Sequence, residues 1–375
     1  MSNLPDAAEI ANDIGSWLDE MAEGLEPGRF KYCKTGSITP SGGQEADMVT
    51  CFAVKAAWQC GQWDKWSDER KKGCINFIRS FQREDGFFYD PWLKKSTYLN
   101  WRDFAFAALG RSNLFTAPAR HRKQRILNVR AETRQAIGTL MMVGEKPNYP
   151  VQMEVTTPEQ VTQYINDLDW THPWGAGSHL SHILMMLSAN RSLFQQTELY
   201  DKLVPEILNF FKSIYHPEDG TWYKGSVTDN QLKINGAMKV YTGLGWLDDE
   251  VFPNKAAIDL ALSTPLPQDG CGFTNNLFVI QRASRGLNKP YRADEIKTRA
   301  KEAIEIALKN KKEGSSFSFQ RHGSQKYYYS QYTSKGHNVA DIHGTAMFTW
   351  GLALAFELLG NDAPKGAENW QTHRP

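Results

Sequence analysis

A net charge of one sign is missing from this chain. Its 43 Lys and Arg face 42 Asp and Glu, a formal charge of +1, which excludes binding to nucleic acid or an anionic membrane through bulk charge. Cysteine is scarce and unpatterned. Cys33, Cys51, Cys60, Cys74 and Cys271 form an odd set without CxxC spacing, which argues against a disulfide framework and fits free thiols in a reducing compartment. The first residues carry Asp6, Glu9 and Asp13 where a leader would be basic and then apolar. Even the apolar stretch 346–359 is interrupted by Thr349 and Glu357, short of the roughly 18 apolar residues of a membrane span. These absences predict a soluble, cytoplasmic protein with no nucleic-acid partner and no membrane span.

Strand signals are also sparse, whereas 3.6-residue periodicity recurs throughout. Amphipathic segments near 6–22, 67–83, 119–142, 195–215, 253–263 and 291–310 alternate with segments apolar nearly all round, at 46–58, 99–109, 179–187, 234–246, 271–280 and 342–359. Amphipathic helices have one wet face, and helices without a polar face belong inside. Six of each predict an all-α, (α/α)6 barrel or toroid in which every outer helix precedes an inner one. A single domain over 1–360 is expected, followed by a mobile polar tail, 361–375.

Aromatics make up 12% of the chain, and they recur after Asp-Gly in Phe77–Phe88 (FIRSFQREDGFF), Phe210–Tyr223 (FFKSIYHPEDGTWY) and Leu266–Phe273 (LPQDGCGF). At Asp85-Gly86, Asp219-Gly220 and Asp269-Gly270 the glycine would supply a positive φ and turn the chain after an outer helix. These turns resemble those of the α/α toroid superfamily, which holds terpenoid cyclases, protein prenyltransferase β subunits and, more distantly, uronate polysaccharide lyases and epimerases. The ending Ala340-Asp-Ile-His-Gly-Thr345, with tyrosines upstream, is similar to uncharacterised toroid proteins found with bacterial surface-polysaccharide genes. The resemblance implies the fold and, through that last group, a role in making or tailoring a glycan.

In such a ring the loops entering the inner helices open at one end, and a site should form there from Glu45 and Asp47; Tyr98, Trp101, Arg102 and Asp103; Trp174, His179 and His182; Lys233, Asn235 and Lys239; Asn275 and Asn276; Asp341 and His343. Asp47, Asp103 and Asp341 can equally be helix N-caps. His179 and His182 are three apart, the spacing of two metal ligands or of a base and its partner. The stretch 316–343, rich in Tyr and containing Arg321, Tyr329 and Tyr332, is longer than a helix connection needs and reads as a loop over the cavity mouth.

Ionic groups of both signs beside Trp, His and Tyr suit a polar, ring-shaped ligand. The leading expectation is a carbohydrate-active enzyme for an acidic glycan, acting as a lyase, epimerase or hydrolase without a cofactor. His179, His343 and Tyr329 would move protons, Asp103 and Asp341 would be the carboxylates of a hydrolase, and Arg102 or Lys239 would neutralise a sugar carboxylate. Trp174, His182, Asn235, Arg321 and Tyr332 would bind substrate. An alternative follows from the prenyltransferase likeness, in which Asp269, Cys271 and His343 match zinc ligands and the substrate is a prenyl diphosphate with Zn or Mg. A third alternative is a toroid that binds a glycan or protein without catalysis.

Overall fold

The computed structural model describes residues 4–38, 47–90, 101–110, 117–247, 252–312, 314–328 and 331–375. Among them the chain is mostly helical, as its periodicity predicts, and strand is confined to two short ribbons. The helices are α1 (Ala7–Ala22), α2 (Asp47–Gln59), α3 (Asp68–Arg79), α4 (Trp101–Ala108), α5 (Ala117–Met142), α6 (Pro158–Asn166), α7 (Pro173–Phe194) and α8 (Glu198–Ser213), then α9 (Asn230–Leu244), α10 (Lys255–Ser263), α11 (Gly270–Ser284), α12 (Ala293–Asn310) and α13 (Ile342–Leu359). Side-chain oxygens of Asp6, Ser67, Thr157, Asp229, Asn254, Asp269 and Asp341 cap the helices that follow them. Each accepts a backbone N–H that the first helical turn leaves without a partner.

Helix contacts run from α2 to α5, α7, α9, α11 and α13, and from α13 back to α2. The remaining long helices pack against members of this cycle: α1 on α2, α3 on α2 and α5, α8 on α7, α10 on α9 and α11, and α12 on α11 and α13. Amphipathicity explains their place. In α12, Ile296, Ala300, Ile304 and Ala307 are buried along one stripe, while Lys301 and Glu305 stay exposed. Helix α13 is buried on nearly every side because neighbours cover it from three directions. By length and composition 342–362 could cross a membrane, but 83% of its most apolar window is buried inside the protein.

Three features depart from the sequence-based expectation. The segment 119–142, expected outside, belongs to α5, which contacts both α2 and α7 and buries Asn128, Glu132, Arg134 and Gln135. The apolar segment 99–109, expected inside, gives the short helix α4, where Phe104 and Leu109 are exposed. Hydropathy alone misled here, since α5 packs against both α2 and α7 and carries polar groups into the interior. The tail is not loose either: Trp370 is buried and its Nε1 donates to Ala7 O at 3.2 Å.

Two of the Asp-Gly sites behave as expected. Gly86 and Gly220 have φ of 81° and 69°, and Asp85 and Asp219 each accept the backbone N–H two residues on and the hydroxyl of a Tyr four residues on. The third differs, because Gly270 opens α11 and Asp269 is its cap, accepting from Cys271 and Gly272 N.

Candidate functional site

A cavity of about 400 Å³ lies among the helices of the cycle, and all six contribute to its wall. Phe52, Lys55 and Gln59 come from α2, Arg134 and Gln135 from α5, Trp174 from α7, Met238 and Lys239 from α9, and Cys271 and Asn275 from α11. Helix α13 adds His343, Ala346, Met347 and Trp350, the segment before it adds Gln325, Tyr327 and Tyr328, and His373 and Pro375 complete the lining.

Its charge is one-sided. Lys55, Arg134 and Lys239 line it, and among the described lining residues there is no Asp or Glu; the buried Glu132 lies outside the lining. Lys55 Nζ donates to Gln135 Oε1. Arg134 is 5% exposed and its Nε has no hydrogen-bond partner. Burial, followed by the charge of Arg134, lowers the Lys239 ammonium to about 7. A dry wall in which Arg134 depresses Lys239 favours an anion, which would restore the Lys239 charge and accept from Arg134 Nε.

His343 is the best-placed proton carrier. Its ring stacks between Phe52 at 4.6 Å and Phe319 at 4.9 Å, with Tyr328 edge-on at 5.2 Å. Nδ1 pairs with Gln325 Oε1. With that oxygen as acceptor, Nδ1 holds the proton and Nε2 keeps its lone pair. Burial lowers its pKa to about 3, so the imidazole stays neutral.

Asp341 sits two residues away but has another task. Oδ1 accepts Gly344 N at 2.8 Å, and Oδ2 accepts Phe319 N at 2.8 Å and Gln325 N at 3.2 Å. Burial nevertheless raises the carboxyl to about 6. It ties the segment before α13 to the helix start and so sets Gln325 against His343. The N-cap alternative holds here, and Asp341 is not in the cavity wall.

The two histidines of α7 do not line the cavity either. His179 Nδ1 meets Tyr164 Oη at 3.1 Å, and that hydroxyl accepts from Arg130 Nη1 at 2.9 Å. His182 is buried, with Nε2 3.4 Å from Ser178 Oγ, and burial, then Arg134, keeps it well below its usual pKa. The catalytic role expected of His179 and the substrate contact expected of His182 therefore gain no support from this cavity.

Of the other expected binding residues, Trp174 lines the cavity and is 50% exposed, available for stacking on a ring. Asn235 acts one step removed, its Oδ1 accepting from Asn275 Nδ2 at 2.9 Å, and Asn275 lines the wall. Tyr332 packs on Tyr327 at 5.1 Å, and it is Tyr327 that borders the cavity. Arg321 is exposed and outside the lining. Tyr329 lies outside the described residues, as do the side chains of Arg102 and Asp103.

The zinc alternative does not assemble. Asp269 caps α11, burial pushes the Cys271 thiol up to about 12, and no group of three metal-ligating side chains occurs among the described residues. Sequence reasoning missed Lys55, Arg134, Gln325, Tyr328 and His373. For Lys55 a signal existed, because it interrupts an apolar run (TCFAVKAAW) much as Lys239 does. Arg134 carried none, being one of many charges in a polar helix.

No family model and no curated protein matches the chain. The crystal structure of a protein from Actinoplanes is similar over 93% of this chain and 99% of that one, at 12% identity and a TM-score of 0.44. A likeness that faint carries no argument about function.

Proposed function

We propose that the fold is an (α/α)6 toroid, with α2, α5, α7, α9, α11 and α13 as its inner helices, and that its cavity is the site of an enzyme for acidic carbohydrates. The closed cycle of contacts supports the first part. The observation that carries the second is the cationic wall of Lys55, Arg134 and Lys239, with no Asp or Glu among the described lining residues, beside the exposed face of Trp174. A sugar carboxylate would sit against the cations and the ring on the indole.

Lyase or epimerase chemistry follows better than hydrolysis. The cations withdraw charge from the carboxylate and stabilise the enediolate formed when the neighbouring carbon loses its proton. His343 Nε2 would take that proton, and the Tyr328 hydroxyl would protonate the opposite face or the leaving oxygen. Hydrolysis needs two carboxylates about the bond, and the described wall offers no Asp or Glu.

A prenyl diphosphate enzyme is the second reading, favoured by the apolar stretch Phe52, Met238, Ala346, Met347 and Trp350. One experiment separates them: incubation with oligouronates in D2O, and thermal melts with oligouronates or prenyl diphosphates. Deuterium at the carbon beside the carboxylate, or a new unsaturated uronate, together with stabilisation lost in Arg134→Met and Lys239→Met, is the expected result. Stabilisation by prenyl diphosphates alone would replace the carbohydrate reading with the second. Binding of oligouronates without exchange or elimination would leave a binding protein.

A further inference from the structure

The cavity has two unlike ends. One is bordered by Trp174, early in α7, and by Tyr327 on the ribbon before α13; they are 50% and 41% exposed. The other lies toward the final turns of the inner helices, where residues 370–375 are built into the protein. Gln371 N donates to the O of Gln59, the last residue of α2, at 2.9 Å. Thr372 Oγ1 donates to Glu357 of α13 at 2.9 Å, and Trp246, just beyond α9, donates from Nε1 to Pro375 O at 3.1 Å. His373 lies 2.8 Å from Gln59 Nε2 through Nδ1 and packs on Trp350 at 4.8 Å.

Beyond these residues is a second cavity of about 180 Å³, bordered by Arg282, Arg285 and Arg374. His373 and Pro375 line both spaces. The segment is therefore a partition between them.

We propose that residues 371–375 are a fixed floor that makes the site blind, so that an anionic glycan is engaged only by a terminal unit. The glycan identity rests on the reading above; the floor itself rests on the packing of the segment. A chain entering past Trp174 and Tyr327 meets Lys55, Arg134 and Lys239 on the walls and then His373, which burial, then Lys55 and Arg134, hold uncharged. No room remains for a chain to pass through. Removal of the floor joins the two cavities and brings Arg282 and Arg285 within reach of a longer anionic chain.

The test compares oligouronates that have free ends with the same oligomers blocked at both ends by bulky groups. Calorimetry is run on the full chain, on a form lacking 371–375, and on His373→Ala. Blocking should weaken binding to the full chain by about tenfold or more, the scale on which a pocket rejects what it cannot hold. The shortened form should lose that penalty and gain affinity as the oligomer lengthens. Equal binding of blocked and free oligomers by the full chain overturns the floor, as does a folded shortened form that keeps the penalty. If the shortened form does not fold, His373→Ala decides, with a reduced penalty expected and an unchanged one contrary. If no oligouronate binds the full chain, the carbohydrate reading fails, and prenyl diphosphates of increasing length test the floor separately. A length cut-off relieved by the deletion upholds it, and no cut-off overturns it.

Discussion

Lys233 and Lys239 stand on the same helix, less than two turns apart, in opposite electrostatic settings. Lys233 Nζ lies 2.7 Å from Asp219 Oδ2, which also accepts the Tyr223 hydroxyl at 3.0 Å. Burial alone would lower Lys233, but Asp219 outweighs it and the pKa rises. Lys239 makes no hydrogen bond or ion pair among the described residues, faces the cavity beside Arg134, and falls to about 7. The same contrast separates Asp341, whose carboxylate accepts three backbone N–H groups, from Arg134, whose Nε–H finds no acceptor among the described residues. Compensated groups hold the fold. Uncompensated groups cost stability, and an anion in the cavity would recover that cost.

Substitutions should divide along this line. Asp341→Ala strands buried donors at the head of α13 and should cost about 3 kcal/mol of stability, read as a lowered urea midpoint. Lys239→Met and Arg134→Met should each weaken binding of the anionic ligand by roughly tenfold to a hundredfold while the melting temperature holds or rises. A stability loss in these variants as large as that of Asp341→Ala would erase the distinction. Lys233→Met should cost about 1 to 2 kcal/mol, since both partners are mostly shielded, and leave ligand affinity unchanged.

The same comparison carries a pH dependence. An ordinary Lys titrates near 10.5 and Lys239 near 7, so between those values the unfolded chain binds more protons at this position than the folded one. Stability should therefore rise with pH across that window, and the rise should be absent in Lys239→Met when unfolding is followed from pH 7 to 10. Anion affinity should move the other way, falling as Lys239 loses its proton above pH 7.

The all-α class and most helix positions were legible because periodicity records which face of each helix is dry. The burial within 119–142 and the exposure within 99–109 were not, because a helix that lines a polar cavity looks amphipathic and therefore external. Within the site, His343, Lys239 and Trp174 could be picked out as polar or aromatic groups in or beside apolar segments. His179 and Asp341 passed the same test and went elsewhere, one to Tyr164 and the other to backbone N–H groups. Local sequence shows that a polar group stands at a helix start. It does not show what that group meets.

The sequence by itself determined the helices, the cap at Asp341 and the Asp-Gly turns at 85 and 219, all governed by residues within a turn or two of one another. Only the tertiary structure decided that Lys55, Arg134 and Lys239, drawn from three helices, share one wall with His343, and that residues 371–375 close its far end. Charge compensation depends on distances across the fold, and distances between remote segments exist only once the helices have packed.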